Sequence, residues 1–145
     1  MTHPRDLREG LVISFSYDEQ DRVFVLTSDV PFASAPGRRL FAQLRCEAAM
    51  AYTRNAADPR WAHCQSAFSC EDALPAFVVH SIIEEEVGDG LHFELDFGPN
   101  LGQLGFTCGR FEIRTREAVA TQAGSSWDYR DSRTGEAMSF YSPFD

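Results

Sequence analysis

Between Leu40 and Tyr52 every second residue is apolar: Leu40, Ala42, Leu44, Cys46, Ala48, Met50 and Tyr52. Strand side chains point alternately to opposite faces, so this spacing gives a strand with one face for a core. A helical face (Phe41, Leu44, Ala48, Ala51, Tyr52) is also present over 38–54, and its alanines favour a helix. The unbroken run of alternating positions decides for the strand. The same rhythm recurs at Leu11, Ile13, Phe15 and Tyr17, at Leu91, Phe93, Leu95 and Phe97, and at Leu104, Phe106 and Cys108. At Gly109-Arg110 the phase slips and Phe111 and Ile113 take over the apolar face, which is how a β-bulge reads in sequence.

These segments predict a mainly β fold, with a β-rich α+β fold as the variant. The expected architecture is two antiparallel meanders packed as a sandwich or partly open barrel, with at most one or two short helices. Each half leads from a strand through an acidic turn to a second strand, then to a third with a Cys in it. The third strands, LRCEAAMAYTR and FTCGRFEIRTR, both end in Thr-Arg.

One domain is expected over 1–145. It comprises a loose arm (1–10), a first β unit (11–54), an irregular excursion (55–75), a second β unit (76–117) and an aromatic tail (118–145). The excursion carries the turn and helix-start signals Asp58-Pro59 and Leu74-Pro75, with a short helix expected near 59–68. Arg114 to Glu117 reads as a charged exit, and Ala123-Gly124-Ser125-Ser126 as a flexible link. Trp127, Tyr129, Phe140, Tyr141 and Phe144 are bulky for a free terminus, so the tail is expected to pack on the body.

Charge narrows the function. There are 22 acidic and 13 basic residues, a net of −9, and every basic residue is Arg. Arg is a bidentate, always-charged donor, so many of these should sit in carboxylate pairs. The negative field repels phosphate and disfavours nucleic acid, while it steers a basic protein in. No apolar run approaches the ~20 residues of a membrane-spanning helix. Residues 1–10 (MTHPRDLREG) lack the apolar core of a signal peptide, so a cytoplasmic protein is expected, and the Arg usage points to a GC-rich bacterial genome.

Catalytic signatures are missing. There is no nucleophile elbow, phosphate loop or dinucleotide fingerprint, and neither a catalytic residue nor a cofactor is assigned. Cys46 and Cys108 continue apolar alternations and read as core residues. Cys64 and Cys70, beside His63, lack the tight spacing of a zinc knuckle, so no metal is assigned. The alternative is a small β-barrel that binds a ligand or metal, possibly an enzyme. It would use His92, Glu94 and Asp96 from one strand face, with His80 as a further ligand.

The favoured expectation is a non-enzymatic acidic interaction protein. Its type is an inhibitor or immunity protein that masks a basic partner such as a bacterial toxin. Glu84, Glu85, Glu86 and Asp89 form one acidic turn in this reading, and Asp18, Glu19 and Asp21 a matching one that shares its edge. Trp61, Trp127 and Tyr129 would be aromatic anchors.

Overall fold

The structure, a computed structural model, describes residues 3–18, 20–30, 37–55, 68–70, 81–88, 90–96, 103–140 and 142–145. It is mainly β, as the alternation requires. After a 3-10 turn (Pro4–Leu7) come β1 (Leu11–Asp18), β2 (Val23–Val30), β3 (Arg38–Glu47), β4 (Met50–Asn55) and β5 (Phe68–Cys70). Then follow β6 (Ser81–Val87), β7 (Gly90–Asp96), β8 (Gln103–Cys108), β9 (Arg110–Ala123), β10 (Ser126–Asp131) and β11 (Ala137–Met138). A strongly curled large sheet has the order β11-β10-β9-β3-β2-β1-β5, and a smaller one the order β4-β8-β7-β6. Both expected meanders are present, β1-β2-β3 in the large sheet and β6-β7-β8 in the small one, and all pairing is antiparallel.

The sheets are joined by two chain stretches that change sheet together. β3 pairs with β9 from Arg38↔Val119 to Glu47↔Arg110, and β4 pairs with β8 from Met50↔Thr107 to Asn55↔Gln103. Residues 38–54 are therefore strand, but in two pieces. The break falls at Ala48, whose φ of 51° lies in the left-handed region that costs an L-residue about 1–2 kcal/mol. Facing it is Gly109, where an added Cβ would come to 3.3 Å from the Ala48 Cβ. The Gly109 N–H donates to the Glu47 carbonyl at 3.2 Å, and the Ala49 N–H to the Arg22 carbonyl at 2.8 Å. The phase slip at Gly109-Arg110 thus marks a change of sheet, a larger event than the bulge expected there.

Between the sheets lies the main core. Phe24 stacks on Phe106 at 4.0 Å between centroids, and Phe93 lies 5.8 Å from Phe106. Leu26, Leu44, Leu95, Cys46 and Cys108 join it, all essentially without exposure. The Tyr17 hydroxyl donates to the Ala49 carbonyl at 3.1 Å, so its ring is buried with its polar end satisfied. Cys46 and Cys108 are free thiols, as their alternation implied. Their mutual hydrogen bond and burial push the Cys46 thiol up, which keeps it protonated and inert.

Three boundaries differ from expectation. The opening arm is anchored: Leu7 is fully buried in the main core, and the Gly10 N–H donates to the Leu7 carbonyl at 2.9 Å. The charged exit at 114–117 is mid-strand, because β9 continues to Ala123 and turns at Gly124 into β10. Its arginines are held by the tail. Arg116 Nε donates to Asp131 at 2.7 Å, and the Arg114 guanidinium sits 4.5 Å over the Phe144 ring. The link at 123–126 is accordingly a tight hairpin turn.

The tail packs on the body, as its aromatics required. Tyr129, Met138, Phe140 and Phe144 cover Phe41, Ile13 and Ala118 on the outer face of the large sheet, a second and smaller core. The expected helix at 59–68 lies almost wholly outside the described residues, as does most of the excursion around it; Phe68 opens β5.

Candidate functional site

The small sheet carries the surface of interest. Gly88 turns β6 into β7 with a φ of 60°. Gly90 begins β7 so close to β8 that an added Cβ would lie 2.6 Å from the Cys108 carbonyl oxygen. Register then runs without a shift from Val87↔Gly90 to Ser81↔Asp96. Phe93 and Leu95 are buried, so their register partners Glu84 and Ile82 face inward as well. Ile82 packs against the main core. Glu84, with its side chain 12% exposed, pairs with His3 at 3.6 Å.

The outer face of β6 has a different composition. Ile83 is 59% exposed and Val87 48%, with Glu85 exposed between them. Across the ladder stand Glu94, opposite Ile83, and His92, opposite Glu85. His92 Nδ1 is 3.1 Å from Thr107 Oγ1, and its Nε2 is 3.5 Å from Glu94 Oε1. When protonated, this imidazole is an ion-pair partner for Glu94. The face is acidic, with two branched aliphatic side chains left in water.

Glu84, Glu85 and Glu86 lie within strand β6, not in a turn as the sequence suggested. Three adjacent glutamates are tolerated there because β6 is the last described strand of its sheet, where charge can reach solvent or an inward partner such as His3. Below them opens a cleft of about 710 Å³, bordered by His3, Glu84, Glu86, Leu91, Arg110 and Phe111. Arg110 is engaged across the sheet with Glu47.

The other acidic segment is built differently. Asp18 Oδ1 accepts from the N–H groups of Gln20 at 2.9 Å and Asp21 at 3.1 Å, an Asx-type turn that closes β1 into β2. Its carboxylate is thereby used as turn chemistry, while Asp21 is exposed. The two acidic segments were expected to share an edge. They border different sheets instead, since Asp18 and Asp21 end the β1–β2 hairpin of the large sheet. Glu19 and Asp89 lie outside the described residues.

His92, Glu94 and Asp96 do share one face, as their spacing implied. That face points away from the core, so the inward-facing arrangement a barrel pocket would need is not formed. Among the described residues no group of three or more His, Cys, Asp or Glu side chains could hold a metal ion. His80, Cys64 and Trp61 lie outside the described residues.

Of the aromatic anchors, Trp127 is 48% exposed on β10 and available to a partner. Tyr129 is half-buried, 6.2 Å from Phe41 and 5.5 Å from Phe140, and serves the second core. The sequence reading singled out neither Ile83 nor Val87. The available signal was the spacing Ile83-Glu85-Val87, opposite in phase to the inward Ile82 and Glu84.

Compared with known proteins, the chain matches no family model, no curated protein and no solved structure.

Proposed function

We propose that this chain is a non-enzymatic acidic interaction protein of the inhibitor or immunity type. Its role is to bind and mask a basic partner, such as a bacterial toxin, in the cytoplasm. The observation that carries this reading is strand β6, where Ile83 and Val87 stand in water on either side of Glu85. Glutamates alone would keep a sheet edge soluble and unpaired. A purely protective edge has no use for exposed branched aliphatics, whereas an interface core does.

A net charge of −9 adds long-range attraction for a basic surface. In this scheme Glu85 and Glu86 meet the partner's basic residues, with Glu84 behind them. Ile83 and Val87 supply the desolvated centre. Asp18, Asp21 and Trp127 extend the same surface chemistry elsewhere on the molecule.

The test is capture from the protein's own cells, followed by identification of what is bound. A basic protein should be recovered at low salt and lost at high salt. The double charge reversal Glu85→Lys with Glu86→Lys should release it, and the intact chain should neutralise its activity. Recovery that ignores both salt and charge reversal would sink the proposal.

A further inference from the structure

The inner face of β6 changes character along its length. Ile82 packs against the main core, whereas Glu84 and Glu86, the next two residues in that phase, border the cleft of about 710 Å³. Carboxylates are rare on the inner face of a sandwich, which is normally filled by apolar side chains. Here they meet a void. Gly88, Gly90 and Gly109 border it with backbone alone, and a Cβ added at Gly88 would touch nothing within 4 Å. The Pro4–Leu7 turn packs along β6 and holds His3 at the cleft, where it pairs with Glu84 and its ring lies 6.2 Å from that of Phe111. The arm thus supports β6, and the cleft opens beside that contact.

Size and lining fix the class of ligand. The volume of about 710 Å³ lies within the range of small-ligand sites, roughly 300–1,000 Å³. Three carboxylates of the lining (Glu84, Glu85 and Glu86) stand against one guanidinium, Arg110, which is engaged with Glu47. The occupant is therefore a cation. A bare metal ion does not suit, since among the described residues no group of three or more His, Cys, Asp or Glu side chains could hold one. Leu91 and Phe111, both half-buried, give the cleft an apolar floor that a strongly hydrated ammonium would leave unused. A guanidinium is planar and weakly hydrated, and it stacks on an aromatic face while its edge donates to a carboxylate.

We infer that this cleft is an arginine pocket. It receives the guanidinium of an arginine side chain of the partner, stacked on Phe111 with its stem along Leu91. Glu84 is already engaged by His3, so Glu86, exposed at the mouth, is the carboxylate that accepts the guanidinium N–H groups. This deepens the masking role proposed above and rests on it.

The probe is N-acetyl-arginine amide, titrated into the full-length protein and followed by NMR shifts. N-acetyl-citrulline amide keeps nearly the same shape without the charge, and N-acetyl-lysine amide keeps the charge without the plane. The arginine compound should move the signals of His3, Leu91 and Phe111 and bind about tenfold more tightly than either control. Glu86→Gln should weaken it about fivefold, and should weaken capture of the partner as well. Glu94→Gln removes the same charge from the opposite face of the small sheet and should leave probe binding unchanged. No movement at His3, Leu91 and Phe111 at millimolar probe overturns the pocket. Equal binding of citrulline or lysine overturns it too, as does an equal loss with Glu94→Gln, which would assign the binding to the general negative field. Partner capture that ignores Glu86→Gln overturns a partner side chain as the occupant. Salt-sensitive capture of a basic protein survives each of these results, whereas failure of masking shows as no such capture, so the two failures are distinct.

Discussion

Among the described residues, the large sheet is covered on both faces, whereas the small sheet is covered on one. The inner face of the large sheet meets the main core, and its outer face receives Tyr129, Met138, Phe140 and Phe144 from the tail. The charged side chains there are mostly engaged in place. Glu47 lies between Arg45 and Arg110, Arg114 Nε donates to Gln43 at 2.8 Å, and Arg116 is bound to Asp131. The small sheet shows Glu85, Glu94 and Asp96 on its outer face, with His92 the one basic side chain among those described there. Ile83 and Val87 lie among them. The contrast separates a scaffold from a presenting surface, and it states where substitutions should hurt folding and where they should hurt binding.

The scaffold should break first at Phe24. Its ring is unexposed and in contact with both Phe93 and Phe106, so Phe24→Ala should cost about 3–5 kcal/mol in urea unfolding. Phe41→Ala should fall at the lower end, about 3 kcal/mol, because Tyr129, Phe140 and Phe144 are half-buried and can settle into the space. It should also loosen the tail, seen as faster proteolysis after residue 123. A cost at Phe41 well above that at Phe24 would make the second core the principal one and reverse the ranking.

Two aspartates of the large sheet give opposite pH signatures. Arg116, helped by the N–H groups of Arg133 and Thr134, holds the Asp131 carboxyl down at about 2, against an ordinary 3.8. A depressed folded value adds stability that is complete above pH 3.8 and is lost as pH falls toward about 2. Asp131→Asn should remove that loss from the stability profile. Asp29 is shifted the other way. Burial raises it, against the attraction of Arg39 at 3.4 Å, and its Oδ1 has no hydrogen-bond partner among the described residues. A raised folded value penalises the charged form, so stability on this account falls as pH rises past 3.8 through the folded value. Asp29→Asn should therefore melt higher than the parent at pH 7, with the gap closing in acid. A lower melting temperature at pH 7 would show that the Arg39 pair outweighs the burial.

Much of the scaffold is legible in the sequence because period-two patterning, Asx turns and glycine turns act locally. β1, β7 and β8 follow from it nearly to the residue. What escaped depends on contacts distant in sequence. Nothing near Ala48 or Gly109 announces that two strands change sheet there, since the cause is their mutual approach. Arg114 and Arg116 look like an exit until Asp131 and Phe144 return to bind them. The glutamates of β6 look like a turn because three like charges disfavour a strand, and only a position at the edge of the sheet relieves them. The candidate surface was half legible: Glu85 and Glu86 were chosen for charge, while Ile83 and Val87 needed the fold to show that their face is bare.

The smallest expected effect on stability is the sharpest test of the comparison. Ile83→Ser with Val87→Ser removes branched aliphatics that already stand in water at 59% and 48% exposure. Folding gains little from side chains left that wet, so the double variant should unfold within about 0.5 kcal/mol of the parent. Strand propensity could add a few tenths, since β-branched residues suit strands better than serine. Capture of a basic partner should nonetheless weaken by tenfold or more, because interface energy concentrates in a few desolvated apolar residues ringed by charge. The two measurements together decide the role of the face. Unchanged stability with unchanged capture would reduce β6 to a solvated edge. A loss near the ~3–5 kcal/mol expected of Phe24→Ala would mean that something covers Ile83 and Val87 in the folded chain, and the small sheet would join the scaffold.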